Sequence, residues 1–242
     1  MILSIFPTTT RSPDLNTINT MNVFLDTASE EEVVERIGTG LISGITTNPS
    51  LVLKSSLNYK NPYDAYDRLI KIPNLPDVSI EVVAETDDEF IDRGLNIHKE
   101  YGPKATVKLP CTMPGLKACK YLSNIGIRTN VTLVFSLSQA ILAATAGATY
   151  VSPFVGRLDD NSFDGLALIE QIASLYKLKC IKTKVLAASI RDVRSVGEAF
   201  LKGADICTIP ARVFDKMVKH VLTDQGLDKF NRDFAEACGN LA

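Results

Sequence analysis

Two hydrophobic periods alternate along this chain. From Met21 onward, short apolar runs rich in β-branched and aromatic residues are separated by longer segments whose apolar positions recur every three to four residues, the marks of strands and amphipathic helices respectively. Residues 22–27 (NVFLDT) predict the first strand, and Ser29 with Glu32 predicts a capping box opening a helix that ends by Gly38 or Gly40. Residues 44–50 (GITTNPS) predict the second strand, running into Asn48 and Pro49, with a helix around 64–71. The third strand falls at 77–84, a helix at 87–100 and the fourth strand at 105–112 (ATVKLPCT). A helix at 115–122, a strand at 127–134, an Ala-rich helix at 136–146 closed by Gly147 and a strand at 149–155 follow. The remainder reads as helix 163–176, strand 182–189, helix 193–202, strand 204–210 and two closing helices at 214–222 and 227–237.

Eight strand–helix units in strict alternation call for a parallel sheet closed into a (β/α)8 TIM barrel, here with an additional C-terminal helix. An open doubly wound sheet is the structural alternative. Pro49, Pro110, Pro153 and Pro210 fall at the downstream ends of the second, fourth, sixth and eighth strands. Proline donates nothing to a sheet ladder, so these positions mark where pairing stops, and in such a barrel the downstream ends build the site. Residues 1–20, polar and aperiodic after MILSIF, read as an irregular leader, with a Ser/Thr-rich transit peptide as the alternative; residues 21–242 read as one barrel domain ending in a helical arm. Phe230 and Phe234, four apart, would let that last helix reach a neighbouring copy or pack on its own barrel.

Composition narrows the classes. A chain of 242 residues with net charge −2 and no concentrated basic run gives no surface for nucleic acid. No apolar run approaches the ~18 residues of a membrane span, and no membrane partner is expected. Five cysteines, an odd number without CxxC spacing, predict reduced thiols in a cytoplasmic protein. The two histidines, His98 and His220, stand far apart, so neither a histidine metal site nor a Ser-His-Asp triad is expected, and no cofactor is called for.

The chemistry starts from Lys108, set between Val107 and Leu109 in an otherwise apolar strand. An amine withdrawn from water loses hydration of its charged form, which is how a lysine becomes a Schiff-base nucleophile. Lys182 and Lys184 compete with it, but they sit early in the seventh strand, near the bottom of the barrel. Other strand ends supply Asp26, Thr46 with Asn48, Glu81, Asn130 with Thr132, Ser152, and Ser189 followed by Arg191. Independent capping accounts for any one of these but poorly for seven strands together, the lysine's own included. A carboxylate such as Asp26 can take the proton of a hydroxyl whose carbon leaves as an aldehyde. Glu81 and the Thr132 hydroxyl could pass protons through water, and Asn48, Asn130 and Ser152 suit sugar hydroxyls. Arg157 and Arg191 offer forked donors to a phosphate, each being a solvated surface group otherwise. Cys111 lies next to this lysine strand's end.

With these residues assembled, the chain resembles the transaldolase family, in its short-chain branch, together with the fructose-6-phosphate aldolases. The matching segments are FLDTA (24–28), GITTNPSL (44–51), VKLPCT (107–112), NVTLVFSLSQA (130–140), SPFVGR (152–157) and AASIR (187–191). The resemblance implies a class I aldolase barrel with Lys108 as nucleophile, Asp26 as the acid/base for cleavage, and Glu81 with Thr132 handling the catalytic water. It implies that Asn48, Asn130 and Ser152 hold the dihydroxyacetone unit, that Arg157 and Arg191 hold the phosphate, and that Thr46, Phe154 and Ser189 complete the substrate site. Transaldolases carry Glu and Phe where fructose-6-phosphate aldolases tend to carry Gln and Tyr. Glu81 and Phe154 therefore favour transfer of dihydroxyacetone in the pentose phosphate pathway over simple aldol cleavage; a non-catalytic sugar-phosphate-binding barrel is the alternative of another class. Short members form rings of five that pair into decamers, so a homo-oligomer is implied.

Overall fold

A computed structural model of the chain describes residues 21–55, 61 and 63–239; the predicted leader lies outside them. Eight parallel strands close into a barrel in sequence order: β1 (Asn22–Asp26), β2 (Gly44–Thr46), β3 (Val78–Glu81), β4 (Ala105–Pro110), β5 (Thr129–Val134), β6 (Tyr150–Pro153), β7 (Lys184–Ala187) and β8 (Ile206–Ile209). Closure pairs Phe24 on β1 with Thr208 on β8, and on its other side Asp26 with Thr46 on β2. The open sheet is thereby excluded. Each strand is shorter than its apolar run, because pairing stops where the chain turns toward a helix.

The helices wrap the outside: α1 (Glu30–Ile37), α2 (Pro49–Ser55), α3 (Tyr63–Lys71), α4 (Asp87–Tyr101), α5 (Met113–Asn124), α6 (Leu137–Thr145), α7 (Val155–Asp160), α8 (Gly165–Leu178), α9 (Val193–Leu201), α10 (Ala211–Met217) and α11 (Val221–Gly239). The main apolar core lies between strands and helices, with Leu25, Ile45, Val107, Leu109, Leu122 and Ile169 all fully buried. A smaller cluster of Phe24, Tyr150, Leu186, Ala188 and Ile206 packs separately from it. Among the described residues no helix is long and apolar enough to cross a membrane.

Three local expectations are corrected, and one of the two readings of the last helix is excluded. The capping box of α1 is only half formed: Ser29 accepts from the Glu32 N–H, but the Glu32 carboxylate bonds the Thr27 hydroxyl (2.5 Å), which itself accepts from the Ser29 N–H (3.0 Å). Thr27 thus relays the second capping bond. Helices α2 and α7 were not anticipated; each has fewer than eight residues, too short to display a full hydrophobic period. The final break falls at residues 218–220 rather than near Gly226, because His220 Nδ1 accepts the Leu222 N–H and the His220 carbonyl accepts from Thr223 and Asp224, starting α11 there. Helix α11 buries none of its residues, and Phe230 and Phe234 are 68% and 72% exposed, so it does not pack its face on its own barrel.

Both ends of the barrel interior hold polar side chains. At the amino-terminal end Asp77, 3% exposed, accepts from Thr106 Oγ1 (2.8 Å), Arg128 (2.7 Å) and the Tyr150 hydroxyl (2.7 Å). Each end opens into a cavity, about 190 Å³ beside Asp77 at the amino-terminal end and about 90 Å³ at the carboxyl-terminal end.

Candidate active site

Lys108 sits on β4, its Cα paired with Glu81 on β3, and only 4% of it reaches solvent. Its Nζ donates to the Thr47 carbonyl (2.9 Å) and lies 3.0 Å from Glu81 Oε2. The carbonyl is itself held in place, since the Thr47 N–H and hydroxyl both reach the Ser79 carbonyl (3.0 and 2.7 Å). A buried ion pair adds little net stability, because desolvating two charges offsets most of their attraction, and an apolar pair of similar volume often serves as well. The pair leaves the Glu81 carboxylate within reach of the amine's proton at the mouth of the barrel.

A narrow cavity of about 90 Å³ opens beside the lysine, and Asp26, Asn48, Thr132, Ser152, Arg157 and Ser189 are among its walls, as are Thr46 and Phe154. Asp26 keeps some contact with the cavity but is surrounded by protein on nearly all sides. Burial pushes its carboxyl above the ordinary 3.8, with the Lys108 ammonium and the Thr46 hydroxyl pulling back the other way. That hydroxyl donates to Asp26 Oδ1 (2.8 Å) and meets Thr208 Oγ1 at 2.6 Å.

On the opposite side Asn130 is fixed at both ends of its amide. Ser152 donates to its Oδ1 (2.6 Å) and its Nδ2 donates to Ser79 Oγ (3.3 Å). Asn130 and Glu81 stand behind the cavity wall rather than in it. The Thr132 hydroxyl is the one fully buried polar side-chain group among the described residues without a hydrogen-bond partner, so it is available to something in the cavity. It lies where the β5–β6 register shifts between Val131 and Val134, with Leu133 at a φ of 58°. Bulges re-aim side chains, and a leucine in the left-handed region costs on the order of 1–3 kcal/mol that the surroundings must hold. Asn48 is half engaged, its Oδ1 accepting the Leu51 N–H (3.0 Å) at the start of α2.

The two arginines diverge. Arg157 stacks over Phe154, with its Cζ 4.9 Å from the ring centre, and no ion pair engages it among the described residues. Arg191, expected with Arg157 to hold a phosphate, instead forms a two-pronged ion pair with Asp160 on α7 and does not line the cavity. The segments carrying them nonetheless touch: a Cβ on Gly156, in α7, would fall 2.3 Å from the Ser189 carbonyl and 2.8 Å from Arg191 Nε, so only glycine fits. Cys111 is half-buried and its thiol is pushed up to about 11 by burial, which keeps it a poor nucleophile. Lys184 lies at the first position of β7, at the far end of the barrel from this cavity, and is exposed. The sequence reading missed Thr208, Leu186 and Ala188 as walls of the cavity. Thr208 had a faint signal, one hydroxyl in an otherwise apolar eighth strand. Among the described residues no group of three or more His, Cys, Asp or Glu side chains is placed to hold a metal ion.

Fold and site together define a closed (β/α)8 barrel whose carboxyl-terminal mouth holds a buried lysine with two acidic side chains about it. The sequence profile of the transaldolase/fructose-6-phosphate aldolase family matches residues 23–241, and the chain belongs to that family. A probable transaldolase of Bacillus cereus is 48% identical over 216 residues, covering 88% of this chain and 97% of that relative. Probable transaldolases of Bacillus anthracis (probable transaldolase 2) and Brachyspira hyodysenteriae are each 44% identical, over 90% of this chain and 99% and 100% of their own lengths.

Proposed function

We propose that the protein is a transaldolase that moves a dihydroxyacetone unit from a ketose phosphate, sedoheptulose 7-phosphate or fructose 6-phosphate, to an aldose phosphate, glyceraldehyde 3-phosphate or erythrose 4-phosphate. The observation that carries this reading is the buried Lys108 amine, which lines the cavity and is bonded to Glu81 behind its wall. Lys108 passes a proton to Glu81 and attacks the C2 carbonyl. The carbinolamine loses water as Glu81, with the unpartnered Thr132 hydroxyl, protonates the departing oxygen, leaving an iminium between Nζ and C2. Asp26 takes the C4 hydroxyl proton, the C3–C4 bond breaks, its electron pair quenches the iminium as an enamine, and the aldose phosphate leaves. The enamine carbon then attacks the acceptor aldehyde, Asp26 returns its proton to the new hydroxyl, and water hydrolyses the iminium to free the lysine. Thr46, Asn48, Asn130, Ser152 and Ser189 shape the dihydroxyacetone side, Phe154 the wall, and Arg157 holds the phosphate. Arg191 joins it by exchanging Asp160 for the phosphate.

Borohydride reduction in the presence of fructose 6-phosphate, followed by peptide mass analysis, tests the reading. An adduct on Lys108 is expected; none, or one on Lys182 or Lys184, refutes it. Glu81 and Phe154 favour transfer over fructose-6-phosphate aldolase activity, and rapid release of free dihydroxyacetone without an acceptor would reverse that choice. The exposed apolar face of α11, with Phe230 and Phe234, supports a homo-oligomer of the pentamer or decamer kind. Five free cysteines support a cytoplasmic working place, and the proposed transfer would place the enzyme in the pentose phosphate pathway.

A further inference from the structure

We propose that Thr208 is a positioning residue for Asp26, acting through Thr46. The inference deepens the proposed reaction and rests on the reading of Asp26 as the group that takes the C4 hydroxyl proton. Strand β1 runs between β8 and β2, and side chains from those flanking strands meet across it: Thr208 Oγ1 and Thr46 Oγ1 are 2.6 Å apart, each residue 2% exposed. The Thr46 hydroxyl also lies 2.8 Å from Asp26 Oδ1. A hydroxyl has one proton to give. When Asp26 is ionised its oxygens can only accept, so the Thr46 proton points at Oδ1 and the Thr208 proton must point at Thr46. The order of donation, Thr208 to Thr46 to Asp26, is therefore set by the carboxylate.

Two consequences follow. Aligned hydroxyls polarise one another, so the pair favours the ionised form of Asp26 more than Thr46 would alone. The pair also anchors Oδ1, and this is the one hydrogen bond to the Asp26 side chain among the described residues, which leaves the second oxygen to face the cavity. Branched aliphatic residues dominate the inward layers of such barrels, and valine would fill the space of Thr208 as well. The hydroxyl is the part that packing does not require.

The test compares Thr208→Val and Thr208→Ser in the full-length enzyme. Thr208→Val is expected to lower kcat several-fold with KM little changed. It should move the acidic limb of the kcat/KM profile to higher pH, while the yield of borohydride-trapped Lys108 adduct and the melting temperature stay at the parent values. Thr208→Ser, which keeps the hydroxyl and loses only a methyl group, should restore kcat and the limb. An unmoved acidic limb in Thr208→Val, or a Thr208→Ser enzyme as impaired as Thr208→Val, overturns the proposal. A parallel fall in adduct yield and turnover also overturns it, since that marks a disturbed site rather than a mispositioned carboxylate. Asp26→Asn separates the two levels of argument. If Asp26→Asn keeps full turnover, the reading of Asp26 itself fails; if it loses turnover while Thr208→Val shows no shift, only the role of Thr208 fails.

Discussion

Two aspartates lie within this barrel, one toward each end, and they are held in opposite ways. Asp77 is enclosed by three donors, Arg128, Tyr150 and Thr106, drawn from the starts of neighbouring strands. Arg128 is anchored further by the carbonyls of Pro103 (2.6 Å) and Lys104 (3.3 Å). Both carboxylates border a cavity, but among the described residues Asp26 has a single donor, Thr46. Burial is the leading influence on both and raises both carboxyls above their ordinary value. The same residue type under the same dominant force is thus held by donors to both oxygens at one end, and at the other keeps one oxygen free for the proton transfer we propose. A raised pKa does not distinguish the two; the count of donors does.

The hardest break is Lys108→Ala, which should abolish turnover and the trapped adduct together while the chain stays folded; retained activity would sink the assignment. Asp26→Asn comes next. Its kcat should fall by roughly 10²–10⁴-fold, the ordinary worth of a positioned acid/base, yet borohydride should still trap Lys108. The stability consequence has a definite sign. A carboxyl raised by folding binds its proton more tightly in the folded chain, so its stabilising contribution is complete below pH 3.8 and is lost as pH rises through the folded value. Asp26→Asn should therefore melt higher than the parent at neutral pH, with the gain vanishing in acid. No gain at neutral pH would mean that the carboxylate is better solvated than its surroundings indicate.

Asp77→Ala should behave in the reverse manner. Removing the acceptor strands Arg128, Tyr150 and Thr106, for a loss on the order of 3 kcal/mol and a melting temperature roughly 10 °C lower, with kcat/KM of the folded fraction unchanged. A catalytic loss exceeding the loss of folded protein would erase the distinction between the two ends. Smallest of all is Lys184→Ala, at the amino-terminal rim, where neither turnover nor the mass of the trapped peptide should change.

Much of this was legible from residue order. All eight strands fall inside the apolar runs that predicted them, because period-two and period-four patterns are local properties of the chain. Lys108 was legible as well, since a charge in an apolar strand is conspicuous. Helices α2 and α7 were not, being too short for their periodicity to register, although Asn48 followed by Pro49 is a helix start. Missing α7 hid Asp160, and with it the partner of Arg191. Thr208 was passed over for a different reason: threonine is at home in any strand, and only its partner makes it notable.

The sequence by itself determined the alternation that makes a barrel, the lysine, and the acidic and hydroxyl side chains at the strand ends. The tertiary structure decided which of them meet. Thr46 and Thr208 are 162 positions apart in the chain, and Asp77 and Tyr150 are 73 apart. Barrel closure and strand register bring each pair within hydrogen-bonding distance, and no local pattern encodes that register. The difference between Asp26 and Asp77 follows from it, because each carboxylate takes its character from the donors that the neighbouring strands deliver.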